Sequence, residues 1–162
     1  MQRLTITILS DLLRESGLKK KLVAELKFQP ELIGSWSERD FIAITDRHRS
    51  KGVIVADLSR RYIMPFRLQP RKASSTTGRI EAIICDLCST WQRGSHSAVI
   101  TFDRSDKSSR SYLCCADLQC SLHVRGLTPQ AKLSRTQLRE QATPDRRIER
   151  LCENLEKILS EL

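Results

Sequence analysis

The 162-residue sequence predicts an α+β fold, and three features of its patterning carry that expectation. Apolar residues recur at helical spacing near both ends of the chain. From Phe41 onward, short apolar runs alternate with turn-forming polar stretches, the texture of a small antiparallel sheet. Five of the six cysteines then gather within Ile80–Gly126.

The N-terminal stretch Thr5 to Lys27 reads as one or two short helices. Ile6, Leu9, Leu12 and Leu13 fall near helical spacing, and Leu18, Leu22, Val23 and Leu26 do so again. Ser16-Gly17 is the expected break, Gly17 ending the first helix and Ser16 helping to start the second. Pro30 closes the segment. The runs Phe41–Ile44, Val53–Val55 and Tyr62–Phe66 are expected strands, separated by turns at Asp46–Gly52 and Asp57–Arg60. Pro65 lacks an N–H and should place the third run at an edge or end its pairing early. The Ser/Thr-rich, basic stretch Gln69–Arg79 is the expected mobile connection between halves. At the far end, Thr143 can cap a helix with Pro144 in its first position. Ile148, Leu151, Cys152, Leu155, Ile158, Leu159 and Leu162 then form one apolar stripe, so Cys152 reads as a small core side chain. The expected organisation is a helical plus β half over residues 1–79, a cysteine-rich module over 80–130, and a C-terminal helix over 143–162 that packs on the domain.

Composition narrows the function classes. Apolar residues make up 40% but aromatics only 5%, so the core rests on Leu, Ile and Val. With 28 Lys+Arg against 19 Asp+Glu, the formal charge is +9, which favours anionic partners such as RNA, a ribosome surface or an acidic protein patch. The first residues show no basic segment leading into an apolar run with a cleavage site, and no stretch approaches the length of a membrane span. The expected compartment is therefore the reducing cytosol, where six cysteines argue for a metal site rather than disulfides.

Cys85 and Cys88 have the two-residue spacing of a zinc knuckle, and a second cysteine pair downstream strengthens the signal. Ala98–Phe102 and Ser111–Cys114 read as the strands of a hairpin. After Cys115, ADLQCSLHVR can form a helix, with Gly126 just beyond its end. Knuckle, hairpin, strand end and helix start follow one another in the order of a treble clef. Neighbouring strand residues point to opposite faces, so only one of Cys114 and Cys115 can meet the ion. Cys114 alternates with Tyr112 and reads as core, leaving Cys85, Cys88, Cys115 and Cys120 as the expected ligands of one Zn2+. His123, three residues after Cys120, is the competing fourth ligand; otherwise it reads as a surface or partner-contacting residue. His96, in the hairpin turn, is a weaker candidate, and His48, in a basic polar turn, carries no chemical expectation. Four thiolates would fill a tetrahedral shell and leave no position for a reactive water, so the site reads as structural.

The run CDLC, a tryptophan and hairpin, then SYLCCADLQCSLHVRGL, resembles the C-terminal treble-clef zinc-finger domain of elongation factor G-binding proteins, the FBP domain family. Tyr112, Cys115, Ala116, Asp117, Leu118, Cys120, Ser121, Leu122, Arg125 and Gly126 stand at the places of that family's motif. Cys114 takes a place usually held by an ordinary apolar residue. The resemblance is specific over about Ile80 to Thr128. It extends weakly to the helix Pro144–Leu162 and to the N-terminal helices with the Trp36-to-Leu68 strands. The run Arg47–Lys51 departs from it in being unusually basic, and the helical-bundle domain of the fusidic acid resistance members has no counterpart here. The resemblance implies a cytoplasmic bacterial protein that binds a translation factor through its zinc domain; in the resistance members, binding releases elongation factor G from the stalled ribosome.

Two function classes follow. The first is a non-enzymatic adaptor for elongation factor G, at the ribosome or off it, docking through Trp91, Arg93, Tyr112, His123 and Arg125, since aromatic and Arg residues anchor interfaces. The second is an RNA-binding zinc module using Arg47, Arg49, Lys51, Arg60, Arg61, Arg67, Arg71, Lys72 and Arg79. Without interleaved aromatics, its readout of sequence would be weak. No phosphate loop, hydrolase elbow or zinc-protease motif is present, so neither catalysis nor a small-molecule substrate is expected.

Overall fold

The computed structural model describes residues 5–28, 38–74, 76–104 and 106–162, and the chain divides into two compact units, Met1–Leu68 and Gln69–Leu162. Pro30 and Trp36 lie outside the described residues.

In the first unit, helix α1 (Ile6–Glu15) starts where extended Thr5 accepts the Ile8 N–H on its hydroxyl, satisfying one of the amides a helix start leaves over. Gly17 follows its end in the left-handed region. Ser16 belongs to this helix alone: its hydroxyl donates to the Leu13 carbonyl at 2.8 Å. The expectation that it starts the second helix is corrected, since α2 (Lys20–Glu25) begins after Lys19 with no side-chain cap.

Strands β1 (Phe41–Thr45), β2 (Lys51–Asp57) and β3 (Arg61–Pro70) form an antiparallel meander. Ile42 stands opposite Val55 and Ile44 opposite Val53, so the two-residue period puts these four on one face. That face meets Leu9, Leu13 and Leu26, and the seven side chains form a buried aliphatic cluster. The β1–β2 turn is tied by Asp46, whose carboxylate accepts the Ser50 N–H at 2.7 Å, the Ser50 hydroxyl at 2.8 Å and the Lys51 N–H at 3.3 Å. Position 52 needs glycine because a Cβ there would lie 2.2 Å from the Ile44 carbonyl oxygen.

Pro65 does not stop β3. Its ladder with β2 runs through the Val53–Pro65 pair to Lys51 opposite Arg67. The Leu68 N–H donates to the Ser50 carbonyl at 2.7 Å, and alternation back along the ladder puts Pro65 in a pair whose amides point away from β2. The missing N–H therefore costs this pairing nothing.

The second unit begins as β3 ends. Within the stretch expected as a mobile connection, the Ser74 N–H donates to the Arg79 carbonyl and the Gly78 N–H to the Ser74 carbonyl, both at 2.9 Å. Two short strands, β4 (Ile83–Ile84) and β5 (Trp91–Gln92), pair antiparallel and enclose the Cys85–Thr90 loop. Strands β6 (Ser97–Asp103) and β7 (Ser109–Cys115) form the hairpin, registered from Ser97 opposite Cys115 to Asp103 opposite Ser109.

Helix α3 is shorter than expected, only Cys120–Val124. Leu118 takes a left-handed conformation at φ 55, which breaks any continuous helix from Ala116. Gly126 (φ 76) ends α3: its N–H reaches the His123 carbonyl and the Leu127 N–H reaches the Leu122 carbonyl, each at 3.0 Å. These paired bonds make a Schellman ending. Helix α4 (Pro129–Leu138) was not anticipated, although Thr128-Pro129 is the same cap-and-proline start as Thr143-Pro144. Its apolar stripe is too weak to show helical period. Helix α5 (Pro144–Ser160) is capped by Thr143 and buries Leu151, Leu155, Ile158 and Leu159. Cys152 is half-buried, as are Ile148 and Leu162 of the same stripe. No helix among the described residues is long and apolar enough to cross a membrane.

Candidate metal centre

Cys85, Cys88, Cys115 and Cys120 are all fully buried, and their sulfurs lie within 4.8 Å of one another. Each comes from a different local device. Cys85 follows β4, and Cys88 turns back toward it in a loop closed by the Ser89 N–H on the Cys85 carbonyl (2.8 Å) and the Cys85 N–H on the Thr90 carbonyl (2.9 Å). Cys115 is the last residue of β7, and Cys120 is the first of α3. Cys85 Sγ to Cys120 Sγ is 3.9 Å, and Cys88 Sγ to Cys115 Sγ is 3.6 Å. Tetrahedral zinc with bonds of about 2.3 Å sets sulfurs about 3.8 Å apart, so the four residues fit the ion. They are too far apart for disulfides, and none of the six cysteines forms one.

Cys114 stands opposite Ala98, next to the Ser97–Cys115 pair, and so projects from the other face of β7. Burial, followed by the nearby Cys85 charge, pushes its thiol up, and it stays a protonated core side chain. Within the cage the sulfurs behave differently. Burial alone would raise Cys85, but the thiols of Cys115, Cys120 and Cys88 donate toward it and hold it well below the ordinary thiol range. Cys120 is pushed well above that range, chiefly by its bonds with Cys115 and Cys85. Four buried thiols converging at these distances suit a divalent cation, which displaces their protons on binding.

Sequence reasoning missed the groups that hold this cage. The Gln92 amide donates to Thr90 Oγ1 at 2.9 Å, which leaves the Thr90 hydroxyl proton for Cys88 Sγ, also at 2.9 Å. Asp86, inside the knuckle, joins it to β7: its N–H donates to the Leu113 carbonyl at 2.8 Å and its carboxylate accepts the Leu113 N–H at 2.6 Å. From α5, the Asn154 amide donates to the Leu87 carbonyl at 3.1 Å. Buried Arg147 donates to the Val124 carbonyl at 2.8 Å and the Ala142 carbonyl at 2.7 Å, closing the end of α3. Only Thr90 and Asp86, beside cysteines, left a trace in local sequence.

The residues expected to meet a partner separate into two groups. Trp91, half-buried with its backbone N–H on Ser134 Oγ at 2.8 Å, lines a hollow of about 270 Å³ with exposed Arg93 and His96 and with Pro129 and Leu133 of α4. Tyr112 lies apart from it, its ring 6.3 Å from that of Phe102. Arg125 is half-buried and donates to the Ser121 carbonyl of its own helix at 2.9 Å. His123 is a correction: it is 2% exposed and cannot serve as a surface contact. Its Nδ1 is 2.7 Å from Thr128 Oγ1, and its Nε2 lies 3.3 Å from an Asp117 carboxylate oxygen. That second approach is close enough for an ion pair but is not aligned as a hydrogen bond. Cys115, Asp117 and His123 thus form a second, smaller group of potential ligand atoms against the cage. Exposed His48 and His96 belong to no such group among the described residues.

No curated protein and no solved structure gives a significant match to the chain. A family model does: FBP C-terminal treble-clef zinc-finger, over residues 19–162. With that match spanning nearly the whole chain and four buried cysteines placed to hold zinc, the chain belongs to the FBP C-terminal treble-clef zinc-finger family.

Proposed function

We propose that this chain is a non-enzymatic zinc-binding adaptor that docks on a translation factor, elongation factor G. The observation that carries the reading is the closed set of four buried sulfurs. A shell completed by protein leaves no coordination position for a substrate, so the metal's role is to fix a surface. The choice of partner rests on the resemblance to elongation factor G-binding proteins. Trp91 and Arg93 supply the docking anchors, an aromatic wall and a cation at one hollow beside the cage. Titration calorimetry of the zinc-loaded chain against purified elongation factor G tests the reading. Saturable binding is expected, weakened at least tenfold by a Trp91→Ala, Arg93→Ala double substitution. No heat at micromolar concentrations in low salt removes it.

RNA binding is the second reading, favoured by exposed Arg47 and His48 on the β1–β2 turn. Several of the other cations it would use are engaged within the protein. Lys51 pairs with Glu25, and Arg61 with Asp57 at 3.3 Å. Arg71 donates to the Glu81 carbonyl at 2.6 Å, and Arg60 sits 4.8 Å from the Tyr62 ring centroid. Affinity for RNA that falls steeply between low and physiological salt would support this reading over the first.

A further inference from the structure

The buried imidazole of His123 has a use that the cage geometry points to. Its Nδ1 side meets Thr128. That hydroxyl accepts the Ala131 N–H at 3.1 Å as the cap of α4 and has its own proton to give to His123 Nδ1 at 2.7 Å, the direction that suits an Nε2 lying 3.3 Å from a carboxylate oxygen. A neutral imidazole whose Nδ1 accepts carries its proton on Nε2. Nε2 is fully buried and has no hydrogen-bond partner, an arrangement native structures rarely leave without a use. Two acceptors lie near the ring: the Asp117 carboxylate, 3.3 Å from Nε2, and Cys115 Sγ, within 4.8 Å of an imidazole nitrogen. Asp117 is one-third exposed and already accepts the Gln119 N–H at 3.0 Å. Cys115 is fully buried, and any charge on its sulfur must be met by protein donors.

We propose that His123 is a positioning residue of the metal cage, its Nε2–H serving as the donor to the Cys115 thiolate. Four thiolates around a divalent ion leave a net charge of −2 in a fully buried site. Outer donors that meet such charge raise metal affinity and fix ligand orientation. Thr90 does this for Cys88 at 2.9 Å and reaches Cys115 Sγ only at 3.8 Å; His123 does it for Cys115, the other member of the 3.6 Å sulfur pair. The chain of contacts then runs from the cap of α4, through Thr128 and His123, to a ligand at the end of β7. This inference concerns the cage and stands independently of the partner.

NMR of the isotope-labelled full chain loaded with a spin-active cadmium isotope is the direct test. The expected result is a His123 imidazole protonated at Nε2, with a scalar coupling between cadmium and the Nε2 proton carried through the N–H···S bond. Competition with a chelator supplies the second readout. His123→Leu should lose roughly 10–100-fold in apparent zinc affinity, and His123→Gln, which keeps an N–H donor, should recover most of it. An imidazole protonated only at Nδ1, direct cadmium–nitrogen coupling, or wild-type zinc affinity in folded His123→Leu would each overturn the proposal. If His123→Leu does not fold, the wild-type spectra decide alone.

Discussion

The two units of this chain hold their sheets in different ways. The first places two short helices on a three-stranded meander and buries aliphatic side chains between them, Leu9, Leu13 and Leu26 against Ile42, Ile44, Val53 and Val55. The second wraps two-residue strands, a hairpin and a five-residue helix around four sulfurs, with α5 supplying its longest apolar stripe. A five-residue helix and a two-residue ladder are too short to persist in water unaided. The contrast teaches where a metal is needed: where elements are too short to bury their own surface, the ion contributes what side-chain burial does not.

The largest expected effect separates the units most sharply. Stripping zinc with a chelator, or Cys120→Ser, removes a contribution of about 10–16 kcal/mol in small zinc modules. Hydrogen exchange should rise first and furthest across Cys85–Leu127, with a smaller rise across Phe41–Phe66. Equal protection throughout after metal removal would erase the distinction. The next effect runs the other way. Leu13→Ala empties a fully buried position in the aliphatic cluster and should cost about 3–5 kcal/mol in denaturant melts. Metal content, measured by elemental analysis, should stay that of wild type. A loss of zinc in this variant would mean the two cores are one system.

The smallest effect sharpens the picture of how the first unit ties its own turns without metal. Asp46→Ala removes the acceptor of three hydrogen bonds in the β1–β2 turn and should cost about 1–2 kcal/mol at neutral pH. Although burial opposes it, donation from Ser50 and then Lys51 holds the Asp46 carboxyl below its ordinary value near 3.8. A depressed value stabilises the folded state fully above 3.8, and the contribution fades as pH falls through the lowered folded value. The gap between wild type and Asp46→Ala should therefore hold from neutral pH down to about 5 and close in stronger acid. A gap that widens in acid would reverse the assignment.

Much of the fold was legible because its signals are local. The helix starts at Thr5 and Thr143, the strands on both sides of Asp46 and the grouping of the cysteines all rest on residues a few positions apart. Pro65 misled because a single strand does not reveal which of its amides face a partner. Helix α4 was overlooked because its one local signal, Thr128-Pro129, lacked a strong apolar period behind it. His123 read as a surface group because its spacing from Cys120 shows where it points and not what covers it.

The sequence by itself determined the chemistry of the site: thiol ligands, a CxxC knuckle, and a strand end and helix start that supply the other pair. It also determined that aliphatic residues would fill the remaining core, since so few aromatics are available. Only the tertiary structure decided which polar groups stand behind the sulfurs. Asn154 reaches the knuckle from 67 residues away, and Arg147 closes the Val124 carbonyl from 23. Spacing along a strand or helix is fixed by covalent geometry, whereas contacts of that range form only once separate elements have packed together.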